Sequence, residues 1–375
     1  MRAYRALGAT IDTSNRAMWS ISGAAGKVCV PANVIDVANS GTTLRIALGS
    51  ASLLRSGIAV FTGDEQIRRR PAGPLANSLT DLGAHVRSTG TNGCAPFVVE
   101  GRLRGGETVI EAVTSQYLTS LLMCTPLANG DSLIRVPLLN EAPYAAITLD
   151  WLDRQGIVLE HEGMSEFRVP GRQAYQPVDR RIPGDFSSAT FFLAAGALGD
   201  NDVTSVGLDV NDTQGDKAVI DYLRAFGAEV DVQADRIRVA ARTLTGCELD
   251  LNGTPDALPM MAVLSCFAKG STRLVNVPQA RLKETDRIAV MREELGRLGA
   301  RITELEDGLI IEESALHGGD VDGHGDHRVV MALAIAATML PEPTTIHGYE
   351  AVAITYPGFA EALASLGGAA TVVGQ

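Results

Sequence analysis

The 375-residue chain has little of what most readily declares a protein class. Its five cysteines (Cys29, Cys94, Cys124, Cys247 and Cys266) show no paired spacing. Cys124 and Cys266 sit inside apolar runs, and the set reads as reduced, buried thiols of a cytoplasmic protein rather than a disulfide framework. No Cys/His grouping has zinc-ligand spacing, so no metal is expected. Apolar runs such as residues 331–340 are too short to cross a bilayer. Arg2-Ala3-Tyr4 opens directly into an amphipathic stretch, without the pattern of a secretory leader. No Walker loop, Rossmann glycine fingerprint, Ser-His-Asp order or metal-binding helix motif occurs. Cationic charge is also short, and unevenly so. The net charge is −12; residues 1–182 carry 18 Lys+Arg against 16 Asp+Glu, and residues 183–375 carry 14 against 28. That balance argues against nucleic acid as a partner. The asymmetry can focus a field in a cleft between two halves, or it can be the ordinary acidic surface of the second half.

What the chain does have is an apolar content of 46%, a length suited to about two domains, and a short phrase that returns six times. Tyr4-Arg5-Ala6-Leu7-Gly8-Ala9 is the first copy. The shared glycine recurs at 83, 156, 227, 299 and 367, with gaps of 75, 73, 71, 72 and 68 residues. A leucine stands four residues before the glycine in five copies, and Tyr4 does so in the first, one helical turn back on the same face. The phrase therefore predicts a helix closed by glycine, often followed by an alternating strand such as residues 228–232 or 300–304. A second feature keeps the same time. Five apolar helices open with a polar turn, marked by Ser40, Thr114, Ser187, Asp256 and His327 at gaps of 74, 73, 69 and 71 residues. Ser, Thr and Asp there serve as N-caps, and the same helix ends offer free N–H groups to phosphates and carboxylates. Six modules of mixed α/β order result, grouped three and three into domains 1–182 and 183–375, with Arg181-Ile182-Pro183-Gly184-Asp185 as the junction. By the same period the first module should begin roughly 60 residues before Met1.

Several segments could carry chemistry. Arg68-Arg69-Arg70-Pro71 follows a strand end, as either a solvated charge run or a clamp for an oxyanion. In Arg281-Leu282-Lys283-Glu284-Thr285-Asp286-Arg287, Lys283 and Arg287 are four apart and share one face of a helix. Surface ion pairs are the plain reading; cations holding an anion while Glu284 shuttles a proton is the functional one. Asp256, after Pro255, is an N-cap or a general base. Arg328, in Asp326-His327-Arg328, puts a cation where it opposes the helix dipole, a local conflict that suggests a ligand.

Taken in order and spacing, these phrases resemble the enolpyruvyl transferases, and among them the 5-enolpyruvylshikimate-3-phosphate synthase family. The strings that carry the resemblance are Asn39-Ser40-Gly41-Thr42-Thr43-Leu44-Arg45, residues 62–71, Ser115-Gln116, Pro143-Tyr144, Gly184-Asp185-Phe186-Ser187-Ser188-Ala189, Gln214-Gly215-Asp216, Pro255-Asp256, residues 283–287 and Asp326-His327-Arg328. The resemblance implies an α/β fold of two domains, an inside-out α/β barrel of six βαβαββ modules with the first incomplete here. It implies transfer of the enolpyruvyl group of phosphoenolpyruvate to the 5-hydroxyl of shikimate 3-phosphate, with release of phosphate and no cofactor. The partners are these two small anions, with no membrane, and the complete protein would be a cytoplasmic monomer. Gly41, Arg70, Gln116, Arg287 and Arg328 would hold phosphoenolpyruvate. Thr114, Ser115, Gln116, Tyr144, Asp256 and Lys283 would hold shikimate 3-phosphate. Asp256 would take the hydroxyl proton, Glu284 would serve the methylene carbon as acid and then base, and Lys283 would stand near the leaving groups.

The chain departs from the family in three places. Glu141 replaces a serine that contacts shikimate 3-phosphate, and its carboxylate would repel the phosphate unless turned away. Ile354 replaces a lysine that many members carry. The Lys-Ser helix opening of the first module falls before Met1. Two other readings stay open: a sister transferase acting on UDP-N-acetylglucosamine, for which Cys94 would have to be the reactive cysteine, and a non-catalytic binding protein. The reading frame upstream of Met1 is expected to encode the remainder of the first module, with residues 1–375 alone turning over little; a stop codon directly before Met1, found by sequencing the DNA, would contradict this.

Overall fold

Each copy of the repeated phrase ends a helix and turns the chain out of it. In the computed structural model, which describes residues 1–373, the six shared glycines all have positive φ, between 73° and 105°. The next residue always donates its amide to the carbonyl five residues earlier: Ala9 to Tyr4 (2.9 Å), Ala84 to Leu79 (3.1 Å), and Ile157, Ala228, Ala300 and Gly368 to Leu152, Leu223, Leu295 and Leu363 (3.0 Å each). This 6→1 bond closes the carbonyl ends of the last turn, and only glycine enters the left-handed region there at little cost. The five leucines are buried beneath it.

The strands fall into six sheets, and none closes into a barrel among the described residues. Three sheets share one connectivity. In the first of them Ile35–Asp36 pairs parallel with Ile58–Thr62, then Phe97–Glu100 and His85–Ser88 add antiparallel. The sheets that begin at Gly106–Ala112 and at Glu248–Asp250 repeat the order. The parallel crossover runs through a helix each time: Gly41–Ala51, Ser115–Cys124 and Leu258–Phe267. A second helix, Gly73–Asp81, Ala142–Arg154 or Arg287–Arg297, precedes the closing hairpin. That is the βαβαββ order. The remaining sheets are Thr10–Asp12 with Ser20–Ser22, the three strands Asp202–Val206, Arg236–Ala240 and Glu229–Val232, and Asp320–Asp322 with Thr345–His347.

The crossover helices form the interior. Every residue of Leu258–Phe267 except Phe267 is buried, and that helix packs with Phe186–Gly196 and His327–Ala337. Helices apolar all round can sit only in such a place, with sheets outside them. No helix among the described residues is long and apolar enough to cross a membrane. The chain divides into two compact units, Met1–Arg180 and Arg181–Gln375.

Asp185 and Asp326, the first residues of their polar turns, are the capping residues: Asp185 accepts from the Ser187 and Ser188 amides, and Asp326 from the Arg328 amide. Ser187, read as an N-cap, lies inside its helix instead. A carboxylate outcompetes its neighbours for free N–H groups because it adds charge at the positive end of the helix.

A Cβ at Gly367 would meet nothing within 4 Å, so Gly367→Ala isolates the cost of the left-handed backbone. A loss of about 1–2 kcal/mol is expected in the urea unfolding of the second unit.

Candidate functional site

In the first unit the chemistry gathers around the starts of two crossover helices. Ser40 caps Gly41–Ala51 through the Thr43 amide (3.1 Å). Gly41 follows, and a Cβ there would lie 2.9 Å from the Arg70 guanidinium carbon. Only glycine lets that guanidinium approach the helix start so closely. Of the three consecutive arginines, Arg68 and Arg69 are exposed, with Arg69 3.7 Å from Glu65, while Arg70 is turned in and buried. Asp64 shapes the loop by accepting from the Ile67 amide (2.9 Å) and the Asn39 amide group (2.9 Å).

Arg45 received no role from the sequence, yet it organises this end of the unit. It is buried, donates to Gln116 Oε1 (2.8 Å) and the Pro71 carbonyl (3.2 Å), and lies over the Tyr117 ring. Gln116 in turn donates to Thr42 Oγ1 (3.1 Å), and the Tyr117 hydroxyl donates to Pro71 O (2.7 Å). The helices cross closely at Gly49, where a Cβ would lie 2.5 Å from Ser120 Oγ. Gly41, Thr42, Arg45, Arg70 and Gln116 therefore form one connected group. The signal for Arg45 was available as a single charge inside an otherwise apolar helical stretch.

Thr114 precedes Ser115–Cys124 but makes no side-chain cap. The Thr114 hydroxyl, the Ser115 hydroxyl and the Ser115 amide instead donate to one oxygen of Glu141, at 3.0, 2.9 and 3.1 Å. Glu141 is not turned away from the place read as a phosphate site; it occupies it. Tyr144 stands half-buried in the first turn of Ala142–Arg154.

In the second unit the centre is Arg287, only 1% exposed. Its Nε and Nη2 donate to the two oxygens of Asp326 (2.7 and 3.3 Å), Nη1 to Asp256 Oδ1 (2.7 Å) and Nη2 to Glu284 Oε2 (2.9 Å). The other oxygen of Asp256 lies 2.9 Å from Arg328 Nη2. Burial pulls the guanidinium down, but Asp326, Asp256 and Glu284 together hold Arg287 above its ordinary value. For Asp256 the order reverses. Burial raises it, and Arg328, Arg287 and Lys283 overcome that and hold its carboxyl well below the usual carboxylate range. Burial pushes the neighbouring His327 down, so its ring is neutral at pH 7.

Three details depart from the sequence reading. Asp256 does not cap the apolar helix: it sits inside the 3₁₀ turn Pro255–Ala257, and its carboxylate goes to the two arginines. Lys283 and Arg287 do not share a helix face. Lys283 is extended after the turn Pro278–Leu282, and Asp286 starts the helix at Arg287 by accepting from the Ala289 amide (3.1 Å). Arg328 does not stand against an uncompensated dipole, because Asp326 caps its helix and Asp256 pairs with it. Ile354 is exposed in the turn Tyr349–Ile354. Away from the site, the carboxylate and ring-nitrogen atoms of Glu293, Glu294 and His324 lie within 4.8 Å of one another. Arg297 pairs with both glutamates (2.8 and 3.6 Å) and supplies the positive charge there.

Each unit thus places a buried arginine near a helix start, and in the second unit Asp256 and Glu284 both pair with Arg287. The family model for EPSP synthase (3-phosphoshikimate 1-carboxyvinyltransferase) matches residues 1–363. The 3-phosphoshikimate 1-carboxyvinyltransferase of Ruminiclostridium cellulolyticum is 51% identical over 364 residues, covering 97% of this chain and 86% of that protein. The protein of the same description from Acetivibrio thermocellus is 50% identical over 97% of this chain and 85% of its own length. The crystal structure of EPSP synthase from Acinetobacter baumannii superposes with a TM-score of 0.79 at 27% identity, over 97% of this chain and 86% of that one. The enolpyruvyl transferase NikO from Streptomyces tendae shares the fold, with a TM-score of 0.74 at 21% identity, over 98% of this chain and 86% of that one.

Arg287→Ala leaves three carboxylates facing one another and should cost about 3–5 kcal/mol in denaturant unfolding. The pH profile of Asp256→Asn gives a second reading of the network. The folded carboxyl is depressed, so its stabilisation is complete above its ordinary 3.8 and fades as pH falls below that value. The stability gap between wild type and variant should therefore be full at pH 7 and close progressively in acid.

Proposed function

This chain belongs to the EPSP synthase family, an enolpyruvyl transferase of the shikimate pathway, and from that premise we propose how its residues divide the reaction. Arg70, the Gly41 amide, Arg287 and Arg328 take up the phosphate and carboxylate of phosphoenolpyruvate. Thr114 and Ser115 receive the phosphate of shikimate 3-phosphate, Tyr144 packs on its ring, and Gln116 contacts both substrates. Asp256 accepts the proton of the 5-hydroxyl as that oxygen bonds to C2 of phosphoenolpyruvate. Glu284 delivers a proton to C3, then removes one as the C2–phosphate bond breaks and the enol ether forms. Lys283 stands beside the charge that develops. The protein is taken to act in the cytoplasm, as a monomer.

The observation that carries this reading is the chain of contacts Arg328–Asp256–Arg287–Glu284. It joins two carboxylates and two anion-binding cations within one network. With no substrate, Asp256 is a poor base because both guanidiniums hold its charge. An incoming phosphate or carboxylate that draws Arg328 to itself frees Asp256 from one of them, and its affinity for a proton rises. Substrate binding thus switches on the base. Glu284 shares Arg287 with Asp256 and Asp326, so it keeps a position while remaining partly open.

The alternative with UDP-N-acetylglucosamine needs a reactive thiolate. Cys94 is buried, its Sγ donates to the Arg69 carbonyl (3.5 Å), and burial pushes its thiol up against a smaller opposing effect of Arg45. That environment suits an inert cysteine.

The test is phosphate release from phosphoenolpyruvate and shikimate 3-phosphate. Glu284→Gln should lower kcat about 10²–10⁴-fold, and Arg328→Ala should raise the phosphoenolpyruvate KM at least about tenfold. Undiminished turnover by Glu284→Gln would remove it from the proton-transfer role.

A further inference from the structure

Glu141 is built into its place with more care than a surface glutamate needs. Its backbone is left-handed, with φ 60°, a conformation that side-chain-bearing residues avoid. Asn140 before it is anchored by donating its amide to Ala112 O (3.1 Å). The turn between the strand Ser132–Leu139 and the helix Ala142–Arg154 therefore throws the carboxylate back over the start of a neighbouring helix. There it is 1% exposed, and a single oxygen gathers the Thr114 hydroxyl, the Ser115 hydroxyl and the Ser115 amide. Ser40, Asp185, Asp286 and Asp326 each cap the helix that directly follows them. At Ser115 the carboxylate comes instead from 26 residues away. It also comes from the loop that leads into Tyr144.

We propose that Glu141 is a built-in competitor for the phosphate of the acceptor, and that it lowers the preference of this protein for a phosphorylated acceptor over the same acceptor bearing a free hydroxyl. This rests on the reading of Thr114 and Ser115 as acceptor contacts. The three donors cannot serve the carboxylate oxygen and a phosphate oxygen together, since each proton points at one acceptor. Two anions side by side away from water also repel strongly. The phosphate gains the donors only when the carboxylate rotates off them, and the charge-assisted bonds lost in that rotation are subtracted from its affinity. A neutral hydroxyl imposes no such exchange. It can settle beside the carboxylate and donate to it.

Isothermal titration of the full chain with shikimate 3-phosphate and with shikimate measures the preference directly, as the ratio of the two Kd values. Glu141→Ser should raise that ratio at least tenfold, mainly by tightening the phosphorylated ligand. Glu141→Gln keeps the size and loses the charge, and it should raise the ratio by a smaller factor; it also serves if the serine variant does not fold. Ser115→Ala should weaken shikimate 3-phosphate more than shikimate. If Ser115→Ala has that effect while folded Glu141 variants leave the ratio unchanged or lower it, the competition is refuted and the acceptor contacts stand. If Ser115→Ala changes neither affinity, or no protein in the series binds shikimate 3-phosphate, the acceptor assignment falls and the competition falls with it.

Discussion

The second unit depends on one guanidinium. Arg287 is buried, and its donors are shared among Asp326, Asp256 and Glu284, which come from three different segments of the chain. A charge in that position is tolerable only with its partners in place, because the cost of removing it from water is recovered through close and well-directed bonds. Asp326 answers to a second demand as well, since it caps the helix that carries Arg328. The beginning of one helix, a 3₁₀ turn and the loop before a second helix are thus tied to a common point. Displacing any of them leaves a buried charge without its counterpart. The rigidity of the group follows from that penalty rather than from apolar packing alone.

The two units solve the same problem in different ways. Each presents the N-terminal ends of buried helices, where unsatisfied N–H groups favour negative charge. In the second unit the aspartates at 185 and 326 satisfy those groups locally. In the first unit the glycine at 41 leaves room for Arg70 at the helix start, while the helix at 115 borrows its anion from another loop.

How much of this could be seen in the sequence follows from the range of each interaction. The leucine and glycine of the repeated phrase are four residues apart, and the bond they frame spans six residues, so the helix ends could be read directly. The crossover helix Leu258–Phe267 could be read because it is apolar nearly all round. The exact cap at the helix beginning at Phe186 could not, because Asp185 and Ser187 are both good capping types and only the geometry of the turn chooses. Two of the three partners of Arg287, Asp256 and Asp326, lie 31 and 39 residues away, and no periodicity links them. The candidate residues came from resemblance, and their pairings emerged only in three dimensions. The role of Arg45 is not legible in the sequence, because an arginine in a helix is usually a solvated one and its burial depends on the crossing at Gly49 and Ser120. Glu141 was noticed as an oddity of sequence, but its orientation was set by a backbone conformation that sequence does not announce.

The six helix stops have a use beyond holding the chain in shape. Each contains one amide, at Ala9, Ala84, Ile157, Ala228, Ala300 or Gly368, bonded in the same way to a carbonyl five residues back. These protons are chemically matched reporters distributed one to a module. An amide exchanges with solvent hydrogen only when its bond opens, at a rate that measures the local free energy of opening. Comparing the six rates would rank the modules by stability within a single molecule, and would show whether they open together as one cooperative body or separately as a row of independent parts.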